Sequence, residues 1–149
     1  MITHEASTFP PGTLSAADCI TDLLYEPAGL DGCVLSAPPG SAAHSGVLAS
    51  ARAVITELRR TGALRAAMAS ADADGWRLVV TGHSLGAGVA TLVGLMLRAE
   101  YPTLRVWAFS PPGGLLTQAL AEASSEWCAV SVCSSGNPMS LALMTNSCF

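Results

Sequence analysis

A serine hydroxyl becomes a useful nucleophile when the chain holds it clear of other groups and an imidazole takes its proton. One stretch of this chain has the form that does the holding: LVVTGHSLGAGVA, residues 78–90, with Ser84 at its centre. Chance alone gives Gly-x-Ser-x-Gly in roughly one chain in twenty of this length, taking about 7 % for each residue, so the flanks decide. Here an apolar strand leads in and a small-residue helix leads out, the setting in which a tight turn pushes the serine oxygen above a sheet. Gly82 and Gly86 are the elbow glycines, expected to leave room where side chains would collide with strand and helix. Leu85 would present its backbone N–H to a developing oxyanion at the helix start, where the dipole favours negative charge. The alternative is a glycine-rich strand–helix turn with an incidental serine.

The partners of such a serine are harder to find. Hydrolases of this plan run in the order Ser, then Asp or Glu, then His. From Leu85 to Phe149 there is no aspartate and no histidine, and the carboxylates there are Glu100, Glu122 and Glu126. All three fall on or beside expected helices. His83 precedes Ser84 on a tight turn and should point elsewhere, His44 opens a helix and reads as a polar or packing residue, and His4 lies near the N-terminus.

The elements that must position Ser84 follow from periodicity. Ser15 is a helix N-cap with Asp18 three residues on, opening a short helix through AADCITDLL. Residues 26–43 are rich in Gly, Pro and Ser and read as a long loop. From Ser45 to about Met68, Val47, Leu48, Ala51, Val54, Ile55 and Leu58 recur at three- and four-residue steps, giving an amphipathic helix that Gly62 breaks or bends. WRLVVT is a short buried strand, and a helix runs from Leu85 to about Glu100, ended at Tyr101-Pro102. LRVWAFS is a second strand with Trp107 and Phe109 as core candidates, LTQALAEASS a short helix, and WCAVSV a third strand. Three apolar strands alternating with helices indicate an α/β fold with a mostly parallel sheet. The tail from Cys133 carries no clear period.

Composition narrows the function. One domain fits the length of 149 residues, and the net charge of −4 comes with seven Lys+Arg, all arginine. No basic stripe forms, which argues against nucleic acid as partner. The apolar run Gly86 to Leu97 is too short to span a bilayer, and the N-terminus has neither the basic start nor the apolar core of a secretory signal. Five cysteines without a CxxC pair read as reduced intracellular thiols rather than as a disulfide framework or a zinc site. SADADGW, with Asp72, Asp74 and Gly75, has the opening of a calcium loop, but Thr81 stands where a bidentate Glu is needed, so a solvated turn is expected.

GHSLGAG resembles the elbow of class 3 lipases, and YPTLRVWAFSPPGGLL is similar to the stretch that follows it in diacylglycerol lipases. GTLSAADCITDL and AHSGVLASARAVITEL are similar to upstream segments of that family. The resemblance covers about residues 12 to 132 in family order. It implies a partial α/β-hydrolase fold lacking the first and last strands, with a partial lipase domain at 1–132 and a non-family tail at 133–149. It implies Ser84 as the nucleophile on an ester of diacylglycerol, and Leu85 and Thr13 as oxyanion donors. Leu115 and Leu116, after SPPGG, are candidates for an acyl pocket. An acylglycerol substrate and a membrane surface are the implied partners. No cofactor is evident; calcium enters only as an implication of the family. The resemblance implies membrane association; with no spanning segment or signal peptide read in this chain, a cytoplasmic placement stands as the alternative.

Both ends depart from the pattern. STFPPGT stands where an apolar strand and Arg-Gly should precede Thr13, and two prolines make a poor central strand. CSSGNPMS replaces the stretch that holds the triad aspartate, with Asn137 near its place. The reading is a lipase-like serine hydrolase domain that is inactive or nearly so by itself. Two others stand beside it: a non-catalytic module binding lipid or protein, and a hydrolase of another lipid ester or thioester. Unpaired sheet edges would make the chain poorly soluble or oligomeric.

Overall fold

The computed structural model describes residues 26–30, 32–34, 37–71 and 75–131. Thr13, the helix expected from Ser15, His4, Cys19, Asp72, Asp74, Asn137, Cys148 and the tail from Cys133 lie outside the described residues. In chain order the elements are β1 (Pro27–Gly29), β2 (Ala42–His44), α1 (Ser45–Thr61), α2 (Ala63–Ala71), β3 (Val79–His83), α3 (Leu85–Leu97), β4 (Arg105–Phe109), α4 (Gln118–Ser124) and β5 (Cys128–Ser131).

Gly62 does more than bend the expected helix: it ends α1. The apolar stripe of α1 buries Val47, Leu48, Ala51 and Ile55. Gly62 then takes the left-handed conformation, φ 66°, and its N–H donates to the Leu58 carbonyl at 3.1 Å. A left-handed glycine is the commonest way for a helix to stop, because it alone pays no Cβ penalty there. The chain restarts one residue later as α2.

β3, β4 and β5 form a parallel sheet in that order, with Val79 opposite Arg105 and Val106 opposite Cys128. α3 lies on β3 and β4 and is itself covered by α1. It is apolar nearly all round, and its residues Ala87, Gly88 and Ala90–Leu97 are buried, as expected of a helix with neighbours on both sides. Gly94 sets how close it sits to the sheet: a Cβ there would fall on Val106 Cγ2.

Two expectations are corrected. The Gly/Pro-rich loop of 26–43 contains the three-residue strand β1 and runs into a second, β2, the two paired antiparallel from Pro27–His44 to Gly29–Ala42. Trp107 and Phe109 are not core residues among the described elements. They alternate with buried Val106 and Ala108, and α3 covers only that second face, which leaves Trp107 49 % and Phe109 43 % exposed. Val79 shares their face, also exposed.

Candidate active site

The turn from β3 into α3 is built from backbone constraints. Gly82, in β3, lies so close to α3 that a Cβ would land on the carbonyl of Gly86 and 2.8 Å from the nitrogen of Ala87. No residue but glycine fits. Gly86 differs from its expected role: a Cβ there would meet nothing within 4 Å among the described residues. Its carbonyl is what crowds Gly82, so the close approach is set from one side.

Between the two glycines, Ser84 adopts φ 52° and ψ −125°. For a residue with a Cβ this costs on the order of 1–3 kcal/mol and persists only where the surroundings enforce it. Three hydrogen bonds do so. The Ser84 N–H donates to the Phe109 carbonyl at 2.9 Å, extending the β3–β4 ladder by one rung, and the Ser84 carbonyl accepts from Ala87 at 2.9 Å and Gly88 at 3.3 Å. Ser110, directly after β4, is the other described non-glycine residue with positive φ, 48°. Backbone strain is thus concentrated at the C-terminal end of two neighbouring strands.

Ser84 is exposed, and its hydroxyl does not cap α3. Among the described residues nothing accepts from the Leu85 N–H, the first amide of a helix with no acidic residue in its first turn. A hydroxyl and a helix-start amide therefore stand side by side, the pairing needed to attack a carbonyl and hold the resulting oxyanion.

The other sequence candidates do not converge on this point. No imidazole hydrogen-bonds to Ser84 among the described residues. His83 is exposed at the end of β3, paired across the ladder with Phe109. His44 is buried ahead of α1, with both ring nitrogens lacking a partner among the described residues, and its backbone N–H donates to the Leu115 carbonyl at 3.0 Å. Glu100 pairs with Arg59 at 2.6 Å and Glu122 accepts from Gln118 at 2.8 Å. Leu115 is 2 % exposed and packs on the first turns of α3, its Cδ1 lying 3.1 Å from where a Gly88 Cβ would stand. Leu116 is half-buried and bridges to Ala43. Sequence reasoning missed the Phe109 carbonyl as the anchor of the turn; a backbone acceptor leaves no mark on residue type.

Among the described residues no cluster of metal-ligating side chains forms, and Thr81 Oγ1 donates to the Trp107 carbonyl at 3.0 Å. Arg52 donates to Cys33 Sγ at 2.9 Å, and burial raises the pKa of the Cys128 thiol, opposed by a hydrogen bond with Thr91. No helix among the described residues is long and apolar enough to cross a membrane.

A strained serine on a strand–helix turn, at the C-terminal edge of a parallel sheet with a buried helix behind it, defines a partial α/β-hydrolase-like fold. Solved structures agree. MDLA from Penicillium cyclopium superposes with a TM-score of 0.64 at 24 % identity, covering 87 % of this chain and 45 % of that one. The mono- and diacylglycerol lipase from Aspergillus oryzae gives 0.62 at 21 %, covering 81 % and 41 %. The family model of Lipase (class 3) matches residues 10–135, and the chain belongs to that family. It is 42 % identical over 117 residues to mouse diacylglycerol lipase-beta, and 38 % identical over 120 residues to human diacylglycerol lipase-alpha. These matches cover 78 % of this chain but only 17 % and 11 % of those proteins, so the chain spans less than a fifth of their length.

Proposed function

We propose that the chain carries the nucleophile and first oxyanion donor of an acylglycerol lipase. Ser84 Oγ would attack the ester carbonyl of a diacylglycerol, and the Leu85 N–H would stabilise the tetrahedral oxyanion. Breakdown of that intermediate would release a monoacylglycerol and leave an acyl-enzyme, which water would cleave to the fatty acid. Thr13 is proposed as the second oxyanion donor, on the family resemblance. A membrane surface is where such a substrate would be met. The strained backbone of Ser84 carries this reading: a turn held at φ 52° has no structural use that glycine would not serve better.

The sequence from Leu85 to Phe149 supplies neither Asp nor His. Oxyanion stabilisation and binding without a full triad leave roughly 10³–10⁴-fold acceleration over water. The purified chain should hydrolyse a dispersed diacylglycerol at no more than that level, which does not depend on the hydroxyl, so Ser84 itself is tested by fluorophosphonate labelling that Ser84→Ala removes. Folded chain that takes no label, or a label that Ser84→Ala leaves in place, would refute the assignment. The exposed Val79–Trp107–Phe109 face favours a second reading, a lipid- or protein-binding module without turnover. Binding to diacylglycerol-bearing vesicles with no Ser84-dependent labelling would select it.

A further inference from the structure

Positive charge gathers away from Ser84, at the far end of α1. The net charge is −4, yet three of the seven positive side chains meet at the bend between α1 and α2. Arg59 and Arg60 close α1, Gly62 turns the chain, and Arg65 opens α2. Together with Thr61 and Ala66 they line an open cavity of about 440 Å³.

Their charge is only partly committed. Arg59 bonds Glu100 through one nitrogen at 2.6 Å, with the two side chains 60 % and 49 % exposed. Arg60 holds Glu57 through Nε and one terminal nitrogen, and Arg65 joins no ion pair among the described residues. Each guanidinium has five donors, so most face the cavity or solvent unused. The exposed single-contact pair of Arg59 with Glu100 adds little stability, and Arg60, though held at two points by Glu57, keeps three donors unused. Three planar forks around one concavity suit an anion with several oxygens and more than one charge, which is a phosphate group rather than a lone carboxylate.

The location separates this cavity from the reaction. Val47, in the first turn of α1, lies against Gly88 near the start of α3, while Arg59, in its last turn, reaches Glu100 beyond the end of α3. The two helices run side by side in the same direction. The rise along α1 from Val47 to Arg59 therefore puts the arginines about 18 Å from the level of Gly88, at roughly 1.5 Å per residue. A ligand here is not the ester being cleaved.

We propose that Arg59, Arg60 and Arg65 form a phosphate-binding site at the α1–α2 bend, distinct from the Ser84 elbow. The phosphate comes either free in solution or on a lipid headgroup, and the test separates the two. The full chain is titrated with inorganic phosphate while the side-chain Nε–Hε resonances of its arginines are followed. Saturable shifts at Arg59, Arg60 and Arg65, with Arg77 unmoved, are expected. Arg59→Gln/Arg60→Gln/Arg65→Gln should weaken binding at least about tenfold, and the matching triple lysine variant, which keeps charge without the fork, by a smaller factor. Co-sedimentation with phosphatidylcholine vesicles containing phosphatidic acid, but not with phosphatidylcholine alone, and lost in the glutamine variant, assigns the site to a headgroup. Phosphate binding without vesicle retention assigns it to a soluble phosphate. Absence of saturable shifts, equal shifts with chloride, or unchanged phosphate binding by the folded glutamine variant would overturn the proposal.

Discussion

The Ser84 amide donates to the Phe109 carbonyl at 2.9 Å, so the elbow is fastened to the strand beside it as well as to its own helix. Ser84 cannot relax toward an ordinary φ without breaking the last rung of the β3–β4 ladder. The strain is therefore held by the sheet, and substitutions at and around it should separate stability from chemistry.

Ser84→Gly removes the Cβ that makes φ 52° costly while leaving the three backbone hydrogen bonds in place. Stability should rise by about 1 kcal/mol, less any entropy glycine gains in the unfolded chain. Thermal melts of the two proteins check this; a lower melting temperature for the variant would mean the turn is not strained.

Gly82→Ala should have the opposite effect. Its new methyl falls on the Gly86 carbonyl and near the Ala87 nitrogen, backbone atoms that cannot step aside without moving α3. A loss of about 3 kcal/mol or more is expected in denaturant titration. Gly86→Ala, which meets nothing among the described residues, should cost far less.

Gly94→Ala tests the packing of α3 on the sheet. Its methyl meets the Val106 side chain rather than backbone, so a loss of about 1–3 kcal/mol is expected. Adding Val106→Ala should return part of that loss, and a double-mutant cycle with no coupling would place α3 farther from the sheet than described.

Cys128 gives a pH dependence. Burial holds its thiol above the ordinary value of 9.0. As pH rises past that value the unfolded chain ionises the thiol while the folded chain keeps the proton, so the folded state binds more protons and stability falls. Cys128→Ala should flatten this alkaline decline in urea midpoints measured from roughly pH 7 to 10. An equal decline in both proteins would place its cause elsewhere.

What the sequence made legible was whatever backbone geometry writes into residue type. Gly82 and Ser84 between an apolar strand and an apolar helix located the elbow, and Gly62 located a break in the helix from Ser45. β1 and β2 were not legible, because three-residue strands are too short to alternate and sit among the prolines and glycines of a loop. The alternation of Val106, Trp107, Ala108 and Phe109 announced a two-faced strand, but nothing in it says which face a helix covers. Large aromatics pointed to the wrong one. Leu115, a pocket candidate by its place after SPPGG, packs on the first turns of α3, where Gly88 leaves room for it.

The nucleophilic role of Ser84 is most directly tested by treating the folded chain with a fluorophosphonate and mapping the adduct by peptide mass spectrometry. A single phosphonyl group on Ser84 is expected, formed slowly because no imidazole bonds to Ser84 among the described residues, and absent from Ser84→Ala. Folded protein that takes no label, or label that persists on another residue in Ser84→Ala, would contradict it.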